Sequence, residues 1–150
     1  FRTGRPYDGT TPNRFFSRYT DYDNEPLYPY GYGLSYHRAE YSPVTLSSHI
    51  MHRESPLTVK ADITNTGDMA GVEAVQLYIR DVAGSVVRPV KELKGVQLVS
   101  LEAKTVEFVI TEDMLRFYGK DMEYRSEAGK FQVMVAPHSG CEMQAEFILE

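Results

Sequence analysis

The stretch Leu57-Thr58-Val59-Lys60-Ala61-Asp62-Ile63-Thr64 places apolar residues at odd positions and polar residues at even positions. This period of two is typical of a β-strand that buries one face. Residues 65–68, Asn-Thr-Gly-Asp, follow directly, and asparagine and glycine favour a turn because both can adopt positive φ. We therefore predict a strand over residues 57–64 that ends in a tight turn.

The same alternation recurs along the following ninety residues. It predicts strands on the apolar rows Val75, Leu77 and Ile79; Val96 and Leu98; Val106, Phe108 and Ile110; Phe131, Val133 and Val135; and Ala145, Phe147 and Leu149. Tyr41, Val44 and Leu46 predict an edge strand, because Pro43 removes a ladder donor. A helical turn is predicted at residues 111–115, with Thr111 as its cap and Glu112 and Asp113 in its first turn.

Seven or eight short strands separated by turns indicate an all-β, antiparallel β-sandwich of two sheets. The chain has no tryptophan and one cysteine, so it lacks the Cys–Trp–Cys core of a true immunoglobulin domain. A fibronectin-III-like sandwich is the better interpretation. Cys141 cannot form an internal disulfide, and it therefore gives no indication of compartment.

Length and charge exclude several classes of function. A chain of 150 residues fits one domain, or one domain with a piece of another. The net charge of −5 argues against nucleic acid binding, which needs a basic surface. No apolar run approaches the ~20 residues of a membrane span. Because the chain opens on Phe1 without a signal-like segment, we expect it to be part of a longer polypeptide.

Residues 27–36, Leu-Tyr-Pro-Tyr-Gly-Tyr-Gly-Leu-Ser-Tyr, divide the alternating region from an upstream stretch without periodicity. We call residues 27–36 the aromatic segment. Ten of the eighteen phenylalanines and tyrosines lie within residues 1–36, together with Arg2, Arg5, Arg14 and Arg18. Such residues can stack on pyranose rings and bond hydroxyls, or they can pack against another domain with the tyrosine hydroxyls left in water.

The aromatic segment closely resembles the YPFGYGLSY signature near the C-terminus of family 3 glycoside hydrolases. Residues 64–68, 75–78, 88–95 and 129–133 resemble the C-terminal fibronectin-III-like domain of bacterial β-glucosidases of that family, most closely the periplasmic type. Residues 3–7 and 17–19 resemble the loop that precedes this domain. The sequence departs from the pattern at Tyr30, at His37 and at Ala136-Pro137, which replaces a glycine-containing turn. It also departs at residues 101–106, where a shortened turn predicts a tightened hairpin at a sheet edge.

The resemblance implies a fibronectin type III-like domain over residues 37–150, preceded over residues 1–36 by an irregular tail of an α/β catalytic domain. It implies a parent enzyme that removes terminal β-linked glucose with retention, without a metal or other cofactor. The family's nucleophilic aspartate and acid/base glutamate lie in domains upstream, so no catalytic residue is carried over to this chain. The expected location is periplasmic or secreted.

Within such a parent we expect the sandwich to be a non-catalytic support. Its expected partners are the upstream catalytic domains, with a β-linked oligosaccharide as the parent's substrate and with no nucleic acid or membrane. The residues expected at the domain contact are Tyr28, Tyr30, Tyr32, Tyr36, Arg88 and Pro89. Three alternatives stay open: a carbohydrate-binding module, a module for homodimer formation, and a parent that is a β-xylosidase.

Other candidate sites have simpler interpretations. A retaining glycosidase needs two carboxyl groups about 5 Å apart. Asp21 with Asp23, and Glu112 with Asp113, are the candidate pairs, but the first pair is typical of a polar loop and the second of a helix start. His49 and His52 have a spacing that binds metal on a helix, yet residues 47–55 lack further ligands and indicate a loop.

Two further features complete the candidates. No helix is predicted after Gly31 and Gly33, so they do not form a phosphate-binding loop. Cys141 is expected in a turn or at a strand edge, and a nucleophilic role for it would need a partner that the fold brings close.

Overall fold

The computed structural model describes residues 26–83, 90–119, 121–142 and 144–150. The strands are β1 (Ala39–Tyr41), β2 (Thr45–Leu46), β3 (Ile50–Met51), β4 (Leu57–Asn65), β5 (Gly71–Asp81), β6 (Val90–Leu98), β7 (Ala103–Ile110), β8 (Phe117–Tyr118), β9 (Tyr124–Arg125), β10 (Gly129–Ala136) and β11 (Ala145–Leu149). A 3₁₀ helix, Glu112–Leu115, lies between β7 and β8. No helix in the described part of the chain has the length and apolar character needed to cross a membrane.

The strands form two large sheets and one small hairpin. In the first sheet β4 pairs with β7 on one side and with β1 and β2 on the other, always antiparallel. The second sheet has the order β3-β11-β10-β5-β6, and it is antiparallel except that β3 runs parallel to β11. β8 pairs with β9 to form the small hairpin, and among the described strands neither has another partner. The predicted all-β sandwich is confirmed.

The core lies between the two large sheets, where the predicted apolar rows face one another. Val59 and Ile63 of β4 are fully buried, as are Leu77 of β5 and Phe108 of β7. Phe131 and Phe147 stack with ring centroids 5.5 Å apart. Because each row contributes alternate residues to one face, the period of two in the sequence corresponds directly to burial.

Three local predictions differ from the structure. The edge strand expected around Tyr41 is divided into β1 and β2, which lie on either side of Pro43 and both pair with β4. Ile50 and Met51, within the predicted loop 47–55, form β3, and Met51 is buried. The β8–β9 hairpin was not predicted. Strands of two residues are too short to show a period, so only their partners define them.

The connections between strands also differ from the predictions. Among the described residues Leu101, Met122 and Gly31 have positive φ, so neither Asn65 nor Gly67 supplies it in the turn after β4. The predicted hairpin at residues 101–106 is wrong, because this stretch connects β6 of one sheet to β7 of the other. The predicted helical turn is confirmed as the 3₁₀ helix, although the Thr111 side chain makes no capping hydrogen bond.

Candidate interdomain surface

Part of the outer face of the second sheet is buried as well as its inner face. Gln76 and Tyr78 of β5 alternate with the core row, so they point away from the main core, yet they are 3% and 0% exposed. Met134 and Ala136 of the neighbouring strand β10 are equally buried. Tyr78, Met134 and Ala136, with Cys141 packed against them, form what we call the second core.

The aromatic segment is attached to this face through its main chain. The backbone N–H of Ser139 donates to the Tyr30 carbonyl at 2.9 Å, and the Tyr78 hydroxyl lies 3.3 Å from the same oxygen. The Gln76 side-chain amide donates to the carbonyls of Gly31, at 3.5 Å, and of Pro137. One buried glutamine therefore connects the aromatic segment to the turn after β10.

The approach is close enough to require glycine at Gly31. Gly31 has a φ of +82°, and a Cβ atom there would lie 2.7 Å from Cδ of Gln76. Pro29 approaches Gly140 in the same way, since a Cβ on Gly140 would lie 3.1 Å from the proline Cγ. At Gly33, in contrast, a Cβ would meet nothing within 4 Å.

The tyrosine side chains of this segment remain exposed although its main chain is held. Tyr28 and Tyr30 are each 65% exposed and Tyr36 is 93% exposed. Tyr28 and Tyr32 stack with ring centroids 5.2 Å apart, and the Tyr32 ring lies 5.7 Å from that of His138. Leu27 and Leu34 are also strongly exposed. The result is an apolar surface displayed on an anchored backbone.

A partly buried polar cluster holds the chain just after the aromatic segment. The Glu73 carboxylate contacts His37 Nε2 at 2.8 Å through one oxygen and accepts a hydrogen bond from the Tyr41 hydroxyl at 2.7 Å through the other. Burial, then the hydrogen bond to Glu73, raises the pKa of Tyr41. A Cβ on Gly71 would overlap the His37 ring, so glycine makes room for it.

Sequence reasoning did not find Gln76, Tyr78 or Glu73. Gln76 and Tyr78 belong to the outward row of β5, where polar and aromatic residues normally face water. Glu73 lies in the same row as Val75 and Leu77, near the start of the strand, where a charged residue interrupts the apolar pattern. Of the six predicted contact residues, the four tyrosines lie among the described residues and are exposed. Their contact with another domain stays a prediction. Arg88 and Pro89 lie outside the described residues and stay predictions.

Glu112 belongs to a cluster of charges that stabilises the 3₁₀ helix. Its carboxylate lies 2.6 Å from Arg116 Nη2, accepts a hydrogen bond from Ser126 Oγ at 2.6 Å and lies 3.5 Å from Arg53. Asp113 pairs with the same Arg116 at 2.9 Å. The hydrogen bond from Arg116 is the main cause that lowers the pKa of Glu112, whereas a catalytic acid needs a raised pKa. Asp21 and Asp23 lie outside the described residues.

The two histidines of the predicted metal-binding spacing, His49 and His52, have different partners. His49 Nδ1 donates to the Glu146 carbonyl at 3.1 Å, and His52 lies 3.8 Å from a carboxylate oxygen of Glu150. Within the described ranges, no group of three or more metal-binding side chains is brought together. Cys141 lies in the turn after β10, as expected, with its sulfur 3.7 Å from His138 Nδ1.

Comparison with known proteins agrees with this architecture. The fibronectin type III-like domain family matches residues 73–139. The periplasmic β-glucosidase of Salmonella typhimurium is 45% identical over 150 residues, which is 98% of this chain and 20% of that protein. A putative β-xylosidase of Formosa agariphila is 48% identical over 120 residues, covering 78% of this chain and 16% of that protein.

The crystal structure of a β-glucosidase from Listeria innocua superimposes with a TM-score of 0.81 at 35% identity, covering 99% of this chain and 21% of the Listeria chain. The chain thus spans about a fifth of the length of the β-glucosidases that it matches over nearly all of its own residues. Sequence motifs, sandwich topology and all three comparisons agree, and the chain belongs to glycoside hydrolase family 3, of which it carries the fibronectin type III-like domain.

Proposed function

We propose that this chain is the C-terminal, non-catalytic support of an exo-acting β-glucosidase. In this proposal residues 1–36 complete the preceding α/β catalytic domain and residues 37–150 form the sandwich. One observation carries the proposal: the aromatic segment exposes Tyr28, Tyr30 and Tyr36 while its main chain is anchored to the second core. Exposed apolar side chains on an anchored backbone favour a contact surface. The main chain is already fixed, so binding does not have to order it.

The upstream catalytic domains of the same polypeptide are the proposed partner of this surface. Tyrosine suits such a contact, since its ring is buried while its hydroxyl reaches water. The sandwich would then hold the catalytic domains in a fixed relative position. A misplacement of a catalytic group by about 1 Å can cost roughly 10²-fold in rate, so a brace remote from the reacting atoms contributes to activity by keeping the catalytic groups in place. Arg88 and Pro89 are proposed for the same contact.

The proposed reaction of the whole protein is retaining hydrolysis of terminal β-linked glucose. The names of the relatives support it, and the name of the Salmonella protein supports a periplasmic or secreted location. A β-xylosidase is the alternative, supported by the 48% identity to the Formosa protein.

A second candidate function is carbohydrate binding by the sandwich itself. The exposed stack of Tyr28 on Tyr32, 5.2 Å between centroids, favours it, because pyranose rings stack on such aromatic faces. Titration of the 150-residue chain with cello-oligosaccharides separates the two functions. Saturable binding that Tyr32→Ala removes would support the module, and absence of binding would support the brace. A homodimer module is the third candidate, tested by the mass of the full-length protein with and without residues 37–150.

The experiment that tests the support function compares hydrolysis of aryl β-glucoside and aryl β-xyloside by the full-length protein and by the 150-residue chain. We expect only the full-length protein to act, with the preferred sugar identifying the substrate class. Activity of the short chain would contradict the proposal and direct attention to Asp21 and Asp23. If neither acts, the enzyme assignment fails and the carbohydrate-binding function becomes the better one.

Matched variants of the full-length protein test the surface. Tyr28→Ser and Tyr36→Ser should lower kcat/KM or the temperature of inactivation, because they weaken the domain contact. Tyr118→Ser is the control, since Tyr118 is 67% exposed, much as Tyr28 is, but lies on the β8–β9 hairpin. Equal effects of all three substitutions would show that the aromatic segment has no special role.

A further inference from the structure

One side of the sandwich consists of two long edge strands. β6 has nine residues and pairs with β5, and β7 has eight residues and pairs with β4; within the described part of the chain neither has a second neighbour. Unpaired backbone groups along strands of this length invite pairing with another chain. A second copy of the same chain is the nearest source of such a strand.

Both edge strands carry a lysine in the row that faces the core. In β6, Lys94 shares its row with Val96 and Leu98, and Leu98 is buried. In β7, Lys104 shares its row with Val106 and Phe108, both buried. A charged residue in a row that otherwise faces the core departs from the alternation of apolar and polar residues expected in a strand. Burial of the row therefore does not explain why lysine occupies these two positions.

Each lysine reaches the main chain of the opposite edge. The Lys94 ammonium donates to the Glu107 carbonyl of β7, and the Lys104 ammonium donates to the Gln97 carbonyl of β6 at 2.5 Å. Lys94 Nζ also lies 4.7 Å from the centroid of the Phe108 ring, a cation–π distance. Glu102 contacts the Lys104 ammonium at 3.1 Å. The two hydrogen bonds are reciprocal and connect the two sheets along their shared open side.

We propose that Lys94 and Lys104 block strand addition by a second copy of this chain at the β6–β7 side. They occupy two carbonyls of the edges and place positive charge where an incoming strand would lie. A strand added there would have to displace these ammonium groups or bury them without water, and a buried unpaired charge is costly. Lysines that point inward at sheet edges are a known means of preventing such pairing.

The test compares the association of the 150-residue chain with that of Lys94→Met/Lys104→Met. Methionine has a similar length and no charge. We expect the parent to keep a constant mass in sedimentation velocity as its concentration rises, and the variant to shift from one chain to two or more. Hydrogen exchange should show new protection at amides of β6 and β7 in the associated variant.

The control is Lys60→Met/Lys130→Met, which removes the same two charges from the inner strands β4 and β10. Both lysines are exposed and each pairs with one glutamate, Glu107 and Glu146 respectively. This variant should behave like the parent. If it associates as strongly as the edge variant, loss of charge alone is responsible and the proposal is wrong.

Folding of each variant is checked by near-ultraviolet circular dichroism. If the double edge variant does not fold, the same association measurement is made on the single variant Lys104→Met. The Lys104 side chain is 42% exposed, so this substitution leaves the buried residues of its row in place. A folded edge variant whose mass does not change with concentration would overturn the proposal. Association without added protection in β6 or β7 would overturn it as well.

Discussion

The side chain of Gln76 occupies the space that a Cβ atom on Gly31 would need. Gln76 lies in β5, and its amide contacts the carbonyl of Gly31, which is 45 residues earlier in the chain. Gly31 also has a φ of +82°, a conformation in which residues with a side chain are strained. The anchoring of the aromatic segment therefore depends on the absence of a side chain at one position.

We predict that Gly31→Ala lowers the free energy of unfolding by about 1–3 kcal/mol, from strain in the backbone and displacement of Gln76. Urea denaturation of the 150-residue chain measures this change. Hydrogen exchange at the Ser139 amide, which donates to the Tyr30 carbonyl, reports whether the segment has detached. Gly33→Ala is the control and should have little effect, because its Cβ meets nothing within 4 Å. Equal stability of the two variants would contradict the prediction.

Asn65 is a second position where one side chain holds distant segments together. It is fully buried, and its amide donates to the carbonyls of Met69 at 2.8 Å and Val99 at 3.1 Å. Its side-chain oxygen accepts from the N–H of Gly67 at 3.0 Å. We predict that Asn65→Ala costs about 2–4 kcal/mol, because buried partners lose their hydrogen bonds.

Chemical denaturation tests this prediction against the neighbouring exposed residue. Thr66→Ala should change stability by less than about 0.5 kcal/mol, as surface substitutions usually do. If Asn65→Ala costs no more than Thr66→Ala, the hydrogen bonds of Asn65 do not contribute to stability as we infer.

Leu101 has a φ of 58° in the connection between the two sheets and is 78% exposed. A branched side chain is strained in this left-handed conformation, and little burial would be lost on its removal. We predict that Leu101→Gly raises the melting temperature and stabilises the domain by about 0.5–1 kcal/mol after the entropy cost of glycine. Leu101→Ala keeps the strain and should give no such gain. A melting temperature of Leu101→Gly at or below that of Leu101→Ala would show that the strain is negligible.

Stability should fall in alkaline solution because of the second core. Burial is the main cause that raises the pKa of Tyr78 to about 12, so the folded chain keeps a proton that the unfolded chain releases near pH 10. This contribution is present in full below pH 10 and is lost as the pH rises toward 12. Burial is also the main cause that raises the pKa of Tyr41, so Tyr41 likewise contributes stability that is lost in alkaline solution.

The difference in unfolding free energy between the parent and Tyr78→Phe isolates this effect. Below pH 10 the parent should be more stable, because its hydroxyl donates to Gln76 Oε1 at 2.5 Å. The difference should shrink between pH 10 and pH 12. A difference that stays constant over this interval would mean that the Tyr78 hydroxyl does not titrate with unfolding.

Much of the sandwich could be predicted because the pattern that defines its strands lies within short stretches of sequence. Val59, Ile63 and Phe108 follow a period of two, and that period alone states which face of each strand is buried. The turn after β4 was predicted at the correct place but for the wrong reason, since Asn65 acts through its side chain and not through positive φ. The passage of the chain from the second sheet to the first between β6 and β7 could not be predicted. A short connection has the same sequence features whether it joins two strands of one sheet or crosses to the other sheet.

By itself, the sequence determined the fold class, the buried rows and, through the motif of residues 27–36, the family. Only the tertiary structure decided that Gln76 and Tyr78 are buried beneath the aromatic segment while Tyr28 and Tyr30 are exposed. An outward row of a strand has the same pattern whether it meets water or a segment folded back from far along the chain. Long-range contact, and not local period, therefore distinguishes an ordinary sheet face from one that anchors a neighbouring segment.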